Sequence, residues 1–254
     1  MTRHLQKWHG AGNDFVVAVG EGESAHWNAA LAVAVCDRHV GIGADGLLIA
    51  DTANDQLTMT LYNADGSIAE MSGNGIRCLV AAYQRATGDT RRELAVQTLA
   101  GERTVTMALT GSTGVGSVTM GTVTLLAPLE GTLGVASVGN PHVVVLDNPD
   151  WSDADRERLA AEWAGQVGGA NVEFVSPIDE GRVAIRVIER GVGWTLACGT
   201  GSCATAAVCY ARGLTDRDIV VRNPGGELRV SFPADEAVLE GPVVHVADLE
   251  WFQE

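Results

Sequence analysis

Hydrophobic and polar residues alternate in several short stretches of the chain, and this period of two predicts β-strands. The predicted strands of the first half lie at 5–9, 15–19, 57–62, 93–98 and 104–109, and those of the second half lie near 143–146, 183–188 and 228–232. Apolar stretches of helical length predict helices at 28–36, 74–87, 153–164 and 200–211. The pattern therefore predicts a mixed α and β protein whose two halves follow a similar plan.

Short motifs of the first half recur in the second half. Ser72 lies in MSGNG and Cys198 lies in ACGTG, at an offset of 126 positions (198 − 72 = 126). Three further motif pairs keep the same order, Gly12-Asn13 with Gly139-Asn140 (140 − 13 = 127), GAD at 43–45 with GAN at 169–171 (171 − 45 = 126), and Gly101-Glu102 with Gly226-Glu227 (226 − 101 = 125). Four matches in one order indicate two copies of one domain.

The duplication places the domain boundary in the Gly/Ser/Thr-rich stretch at 110–117. Two copies related by a pseudo-two-fold axis would put Ser72 and Cys198 on opposite walls of a cleft, where small ligands usually bind. Each of these residues precedes a Gly-x-Gly segment that opens an apolar helix. A helix start offers free N–H groups and positive dipole charge, which suit a carboxylate and lower the pKa of a nearby thiol.

Six motifs along the whole chain resemble the cofactor-independent diaminopimelate epimerases, within the wider group that includes proline racemases. They are HGAGNDF at 9–15, DRHVGIGADG at 37–46, NADGS at 63–67, GNPH at 139–142, ERGVG at 189–193 and ACGTG at 197–201. The resemblance implies an α+β fold of two pseudo-symmetric lobes, each a strand barrel around a central helix. It implies an N-terminal lobe at 1–113, joined by a C-terminal strand at about 244–254, and a C-terminal lobe at 114–243.

The resemblance also implies epimerisation at an amino-acid α-carbon by two cysteines, without pyridoxal phosphate or another cofactor. One thiolate removes the α-proton and a thiol on the opposite face returns one. The family pattern assigns the catalytic positions to Cys198, Ser72, His142 and Glu189. It assigns substrate contacts to Asn13, Asn63, Gly73, Asn74, Asn140, Asn171, Glu189, Arg190, Gly199 and Thr200. Of these, Glu189 and Arg190 would bind the amino and carboxylate groups at the substrate's distal end. A guanidinium fits a carboxylate and a carboxylate fits an ammonium.

Two residues depart from the family pattern. Ser72 stands where the pattern has the second cysteine, and a serine hydroxyl is a poor proton carrier at neutral pH. We expect the chain to be nearly inactive as an epimerase. A deliberate cysteine-to-serine change is the simplest explanation, and a natural serine, which could support one-sided chemistry such as elimination, is the alternative. Trp194 replaces a glutamate, and if it lines the site the pocket has changed shape.

Each assigned residue also has a purely structural interpretation. His142 could be a half-buried histidine at a strand start, and Asn13 and Asn140 could be turn residues. Glu189 and Arg190 could form an exposed pair at a strand end. Three functions stay open: an epimerase of LL- and meso-diaminopimelate, a racemase of another amino acid with a pocket altered by Trp194, and a non-catalytic homologue that binds a zwitterion.

Composition and charge narrow the class of protein. The chain has 254 residues, 46% of them hydrophobic, and a formal net charge of −15, which disfavours nucleic-acid binding. Five cysteines without Cys-x-x-Cys spacing argue against a zinc site and a disulfide framework. No leader or apolar segment of membrane-spanning length is evident, so we expect a cytoplasmic protein. We expect a homodimer whose partner molecule is a small amino-acid substrate.

Overall fold

The computed structural model describes residues 2–53, 56–179 and 181–252, and its fold is α+β. The chain divides into two compact units, Met1–Val118 with Gly241–Glu254, and Thr119–Glu240. The Gly/Ser/Thr-rich stretch at 110–117 is folded as the end of one strand, a tight turn and the start of the next. Among the described residues, no helix is long and apolar enough to cross a membrane.

The first unit is a closed strand barrel. Its elements are β1 (Thr2–Gly10), β2 (Asn13–Gly20), a 3₁₀ turn (Glu23–His26), α1 (Ala29–Cys36), β3 (Gly46–Asp51), β4 (Leu57–Asn63), β5 (Ile68–Ala69), α2 (Gly73–Thr87), β6 (Glu93–Thr98), β7 (Gly101–Thr110) and the first part of β8 (Thr113–Thr122). The strands pair in the order β1, β2, β3, β4, β6, β7, β8. The long C-terminal strand Glu236–Phe252 pairs with both β8 and β1, which closes the barrel.

Helix α2 runs through this barrel, in contact with β1, β2, β3, β4 and β7. All of its residues from Gly73 to Ala82 are buried, as expected of a central helix that is enclosed on all sides. Ser72 caps its start, since its Oγ accepts a hydrogen bond from the N–H of Gly75 at 3.0 Å. Gly88 ends the helix with φ 75°, a left-handed conformation that glycine adopts without strain.

The second unit repeats this topology. Its elements are the rest of β8, β9 (Thr124–Leu126), β10 (Gly134–Ser137), β11 (Pro141–Leu146), α3 (Asp153–Gln166), β12 (Asn171–Asp179), β13 (Arg182–Glu189), β14 (Gly193–Thr195), α4 (Gly199–Ala211), β15 (Asp218–Asn223), β16 (Gly226–Ser231) and the first part of β17 (Glu236–Phe252). Strands β10, β11, β12, β13, β15 and β16 pair in alternating antiparallel and parallel fashion. The series β1, β2, β3, β4, β6, β7 has the same alternation. The predicted internal duplication is confirmed.

Helix α4 takes the central place in the second unit, in contact with β10, β11, β12, β15 and β16. Small side chains such as Ala204 and Ala206 are buried along it, which lets the surrounding strands approach closely. Helix α3 packs against β12, where Trp163 of the helix and Phe174 of the strand belong to one hydrophobic cluster. The four predicted helices are therefore present, each within two residues of its predicted ends.

Candidate active site

Cys198 lies at the N-cap of α4, in extended backbone conformation with φ −125° and ψ 114°. Its Sγ accepts a hydrogen bond from the N–H of Gly201 at 3.3 Å and lies 3.5 Å from the Thr200 hydroxyl. The side chain is buried. The N–H groups of Gly199 and Thr200 belong to the first turn of the helix, where no carbonyl of the same helix can accept them. Together they form a potential cradle for a carboxylate beside the thiol.

Two polar residues that the sequence did not single out fix the backbone of Cys198. Asn223, the last residue of β15, accepts a hydrogen bond from the Cys198 N–H at 3.3 Å. Ser202 donates its hydroxyl proton to the Cys198 carbonyl at 2.8 Å, and the Asn223 amide donates to the Ser202 oxygen at 3.2 Å. All three residues are buried, so the turn that carries the thiol is held rigidly on both sides.

A buried acid–histidine pair lies next to the thiol. His142 Nδ1 is 2.7 Å from Glu173 Oε1, and both side chains are fully buried. His142 Nε2 is 3.1 Å from Asn140 Oδ1. The potential ligand atoms of His142, Glu173 and Cys198 all lie within 4.8 Å of one another. The structure thus brings together Cys198, His142 and Asn140 as a group, and adds Glu173, which the sequence analysis missed.

Among the described residues, His142, Glu173 and Cys198 are the group of His, Cys and acidic side chains that could hold a metal ion. The 2.7 Å between His142 Nδ1 and Glu173 Oε1 is a hydrogen-bond distance. Donor atoms of a tetrahedral zinc site, with bonds of about 2.0–2.3 Å, lie about 3.3 Å or more apart. The distance between His142 and Glu173 is therefore too short for two ligands of one zinc ion, and it fits a hydrogen-bonded pair beside a thiol.

Glu189 and Arg190 lie at the end of β13, on the same unit as Cys198. Thr195 donates its hydroxyl proton to Glu189 Oε1 at 2.6 Å, and the charge of Glu189 acts on the Cys198 thiol. The Arg190 side chain is exposed, and its backbone N–H donates to Asn171 Oδ1 at 2.8 Å. Asn171 thereby positions the strand end that carries both charged residues.

Burial raises the pKa of the Cys198 thiol well above its ordinary value, and the carboxylates of Glu189 and Glu173 raise it further. The hydrogen bonds from Thr200 and Gly201 act in the opposite direction. The prediction that the helix start lowers this pKa is therefore wrong in its net effect, because burial and two nearby carboxylates outweigh the N–H groups. At neutral pH Cys198 is therefore a thiol.

The pH dependence of Cys198 alkylation tests this protonation state. Iodoacetamide reacts with thiolates, so the rate at Cys198 is expected to keep rising about tenfold per pH unit beyond pH 9, whereas a free thiol levels off near its pKa of about 8.5. Quenched samples digested for mass spectrometry give the rate at this cysteine alone. Glu189→Gln should shift the profile to lower pH, because it removes one of the two charges that raise the pKa. A rate that levels off below pH 8 would contradict the assignment.

The corresponding residues of the first unit surround the start of α2. Ser72 has nearly the backbone conformation of Cys198, with φ −142° and ψ 119°. The Asn74 amide donates to Asn13 Oδ1 at 3.3 Å, and the buried Arg77 donates to Asn74 Oδ1 at 2.8 Å. Asn13 in turn donates to Asp45 at 2.7 Å. These contacts fix the amide groups of Asn13 and Asn74 at the start of α2.

Asn63 is exposed at the end of β4, and its side-chain amide donates to the Ser67 hydroxyl at 2.9 Å. The backbone of Asn63 belongs to the same turn, since its N–H donates to the Ser67 carbonyl at 2.8 Å and its carbonyl accepts from the Gly66 N–H at 2.9 Å.

Trp194 faces away from Glu189 and Thr195. Its indole lies 6.0 Å from the Phe174 ring, under the Arg186 guanidinium at 4.2 Å, and donates to Glu157 of α3 at 2.8 Å. Alternate residues of a strand point to opposite faces, so the neighbouring Thr195 points to the face that carries Glu189. Trp194 therefore packs against Phe174 and α3, on the face of β14 opposite to Thr195 and Glu189.

Comparisons with known proteins cover essentially the whole chain. The family model described as "Diaminopimelate epimerase" matches residues 5–126 and 134–246. A diaminopimelate epimerase of Desulforudis audaxviator is 40% identical, over 96% of this chain and 98% of the relative. That of Xanthomonas euvesicatoria is 38% identical, over 96% and 95%.

Solved structures share the fold at lower identity. A hydroxyproline epimerase from Agrobacterium vitis, with bound trans-4-hydroxy-L-proline, has a TM-score of 0.71 at 16% identity and covers 98% of this chain and 91% of its own. A phenazine biosynthesis protein of the PhzF family from Bacillus anthracis has a TM-score of 0.73 at 14% identity and covers both chains completely. The predicted fold of two barrels, each around a central helix, is confirmed.

Proposed function

The chain belongs to the diaminopimelate epimerase family, and we propose that it is built to interconvert LL- and meso-diaminopimelate by proton transfer at the α-carbon, with turnover impaired by Ser72. The observation that carries the proposal is the buried Cys198 at the start of α4, beside Glu189 and the His142–Glu173 pair. A thiol, a cradle of backbone N–H groups and fixed charges are the parts that α-proton transfer requires.

In this proposal Cys198 is one acid/base group, and its raised pKa makes it the group that starts with a proton and donates it. The partner group must then start as the base, and the family pattern assigns that role to Ser72. A neutral hydroxyl removes an α-proton far less readily than a thiolate. The N–H groups of Gly199 and Thr200, with those of Gly73 and Asn74, stabilise the substrate's α-carboxylate and the negative charge that develops on it.

Arg190 and Glu189 supply the specificity for the distal end of the substrate. A guanidinium binds a carboxylate in a fork geometry, and a carboxylate binds an ammonium group. Diaminopimelate carries both groups at both ends, whereas lysine lacks the distal carboxylate. Trp194 gives no support to a different amino acid, because its indole packs against Phe174 and α3.

Binding to the chain as it stands tests the substrate independently of turnover. Calorimetry is expected to show that meso- and LL-diaminopimelate bind at least about tenfold more tightly than lysine, since a hydrogen-bonded charged group contributes about 1.5–3 kcal/mol. Arg190→Ala should remove this preference by weakening the binding of diaminopimelate and leaving that of lysine unchanged. If proline or another amino acid without a distal carboxylate binds more tightly than diaminopimelate, the substrate assignment is wrong.

Ser72 also supports a second candidate, a homologue that binds the zwitterion without catalysing its epimerisation. Such a protein would pass the binding test and would stay inactive after Ser72→Cys, so the two tests together separate the candidates. We further propose that the protein is cytoplasmic and forms a homodimer. Light scattering of the protein in solution measures its molar mass and so tests the dimer.

A further inference from the structure

The His142–Glu173 pair is placed against the first turn of α4. The Oε1 of Glu173 lies so close to Gly201 that a Cβ added to this glycine would be 2.4 Å from it. A side chain at position 201 would therefore displace the carboxylate or the helix. Since Gly201 also donates its N–H to Cys198 Sγ, one residue of α4 contacts both the thiol and the acid.

In the first unit, the two positions that correspond to His142 and Glu173 carry apolar side chains. In the parallel pair β11 and β12, Val144 is the register partner of Glu173, and in the parallel pair β2 and β3, Val17 is the register partner of Leu48. By strand register Leu48 therefore corresponds to Glu173, one position beyond the alignment of the GAD and GAN motifs, whereas Leu47 belongs to the hydrophobic cluster that includes α1 residues. By the offset of the repeated Gly-Asn motif, Phe15 corresponds to His142. Phe15 and Leu48 are both buried. The duplicated fold thus forms with an apolar pair at these two positions.

A polar pair at this place is costly by comparison. Burying a charged or polar pair gains little stability over apolar side chains of similar volume, and often none. The cost is visible at Glu173, whose second oxygen, Oε2, is buried with no hydrogen-bond partner among the residues that the structure describes. Since packing alone would favour an apolar pair, the acid requires an explanation in the chemistry of the site.

The contacts of the imidazole supply that explanation. A carboxylate only accepts hydrogen bonds, so Glu173 at 2.7 Å holds a proton on His142 Nδ1. In the neutral ring the other nitrogen, Nε2, then has no proton and can only accept a hydrogen bond. The Asn140 amide, whose Oδ1 lies 3.1 Å from Nε2, must therefore turn its NH₂ group toward the ring, and the tautomer of His142 fixes the orientation of this amide. Without the acid, the ring could carry its proton on either nitrogen and could rotate.

We propose that Glu173 is a positioning residue, which fixes the tautomer and orientation of His142 and, through its Nε2, the amide of Asn140 beside Cys198. The proposal deepens the proposed function, on which its consequence for turnover rests. Carboxylates play this role for the catalytic histidines of other enzymes, where they hold the productive tautomer. The family pattern predicts roles for His142 and Asn140 and leaves Glu173 without one.

Nitrogen NMR of the histidine ring tests the tautomer without any substrate. The chain labelled with ¹⁵N-histidine is expected to show a protonated Nδ1 at His142, and the signal is assigned by its loss in His142→Phe. In Glu173→Gln the amide can donate to Nδ1, so the proton is expected to move to Nε2. An unchanged ring spectrum in Glu173→Gln would overturn the proposal, whatever the enzyme's substrate.

Turnover is then measured in the Ser72→Cys background. Glu173→Gln is expected to lower kcat/KM for diaminopimelate about 10- to 100-fold, as loss of an orienting partner does at other sites. The double variant His142→Phe/Glu173→Leu installs the pair of the first unit; we expect it to fold and to lose activity. If that variant keeps full activity, the polar pair is only packing and the proposal fails. If Ser72→Cys itself is inactive, the proposed function fails, and the NMR result still decides the role of Glu173.

Discussion

Ser72→Cys is expected to raise the rate of diaminopimelate epimerisation about 100- to 10,000-fold, the range that one general acid–base group contributes. A thiol has a pKa of about 8.5, so it supplies a useful fraction of base near neutral pH, which a hydroxyl does not. The backbone of Ser72 already has nearly the conformation of Cys198, so the new sulfur is expected to take the N-cap position of α2. Chiral chromatography of the LL and meso isomers measures the rate.

Ser72→Ala is the control for this result. It removes the hydroxyl and the cap of α2 without adding a proton carrier, so the rate should stay at or below that of the chain, with stability lower by about 1 kcal/mol. Ser72→Cys should cost less stability, because Cys198 shows that a sulfur can accept the N–H at the equivalent helix start. If Ser72→Cys binds diaminopimelate and gains no activity, Ser72 is not the lesion and the non-catalytic candidate is favoured.

The repeated motifs allowed the internal duplication to be predicted from the sequence, and the family resemblance added the two barrels. Several strands could not be predicted. Strand β3 reads as the continuous apolar run GLLIAD, and β12 begins with NVEFV; both are buried parallel neighbours without alternation. Strand β17 is far longer than any periodic segment recognised near the C-terminus. Because such strands are defined by their partners, local periodicity gives too weak a signal for them.

The candidate site also contains residues that the sequence predicted and residues that it did not. Family motifs pointed to Cys198, His142 and Glu189, and the structure brings them to one end of α4 in the second unit. Glu173 was missed, although a single acidic residue within the apolar run NVEFV indicates that its side chain has a polar partner in the fold. The raised pKa of Cys198 could not be predicted, because it depends on burial and on carboxylates from two other strands, β12 and β13.

The proton-transfer proposal has a stereochemical consequence that single-cysteine chains reveal. With one thiol left, a base can remove a proton and return a deuteron only on its own face of the α-carbon. This chain is therefore expected to exchange the α-proton of one isomer, LL or meso, at least about 100-fold faster than that of the other. The mirror variant Ser72→Cys/Cys198→Ser is expected to reverse the preference. Proton NMR in deuterated buffer follows the loss of each α-proton signal.

The pH dependence of this exchange connects it to Cys198. Because the pKa of this thiol is raised, its thiolate fraction near neutral pH is small and the exchange rate should rise about tenfold per pH unit from pH 7 to 9. Ser72→Cys should exchange both isomers, and Cys198→Ser alone should exchange neither. If Cys198→Ser still exchanges one isomer, a different base removes the proton. If this chain exchanges both isomers equally, the two faces of the α-carbon are not served by separate residues and the two-base mechanism is wrong.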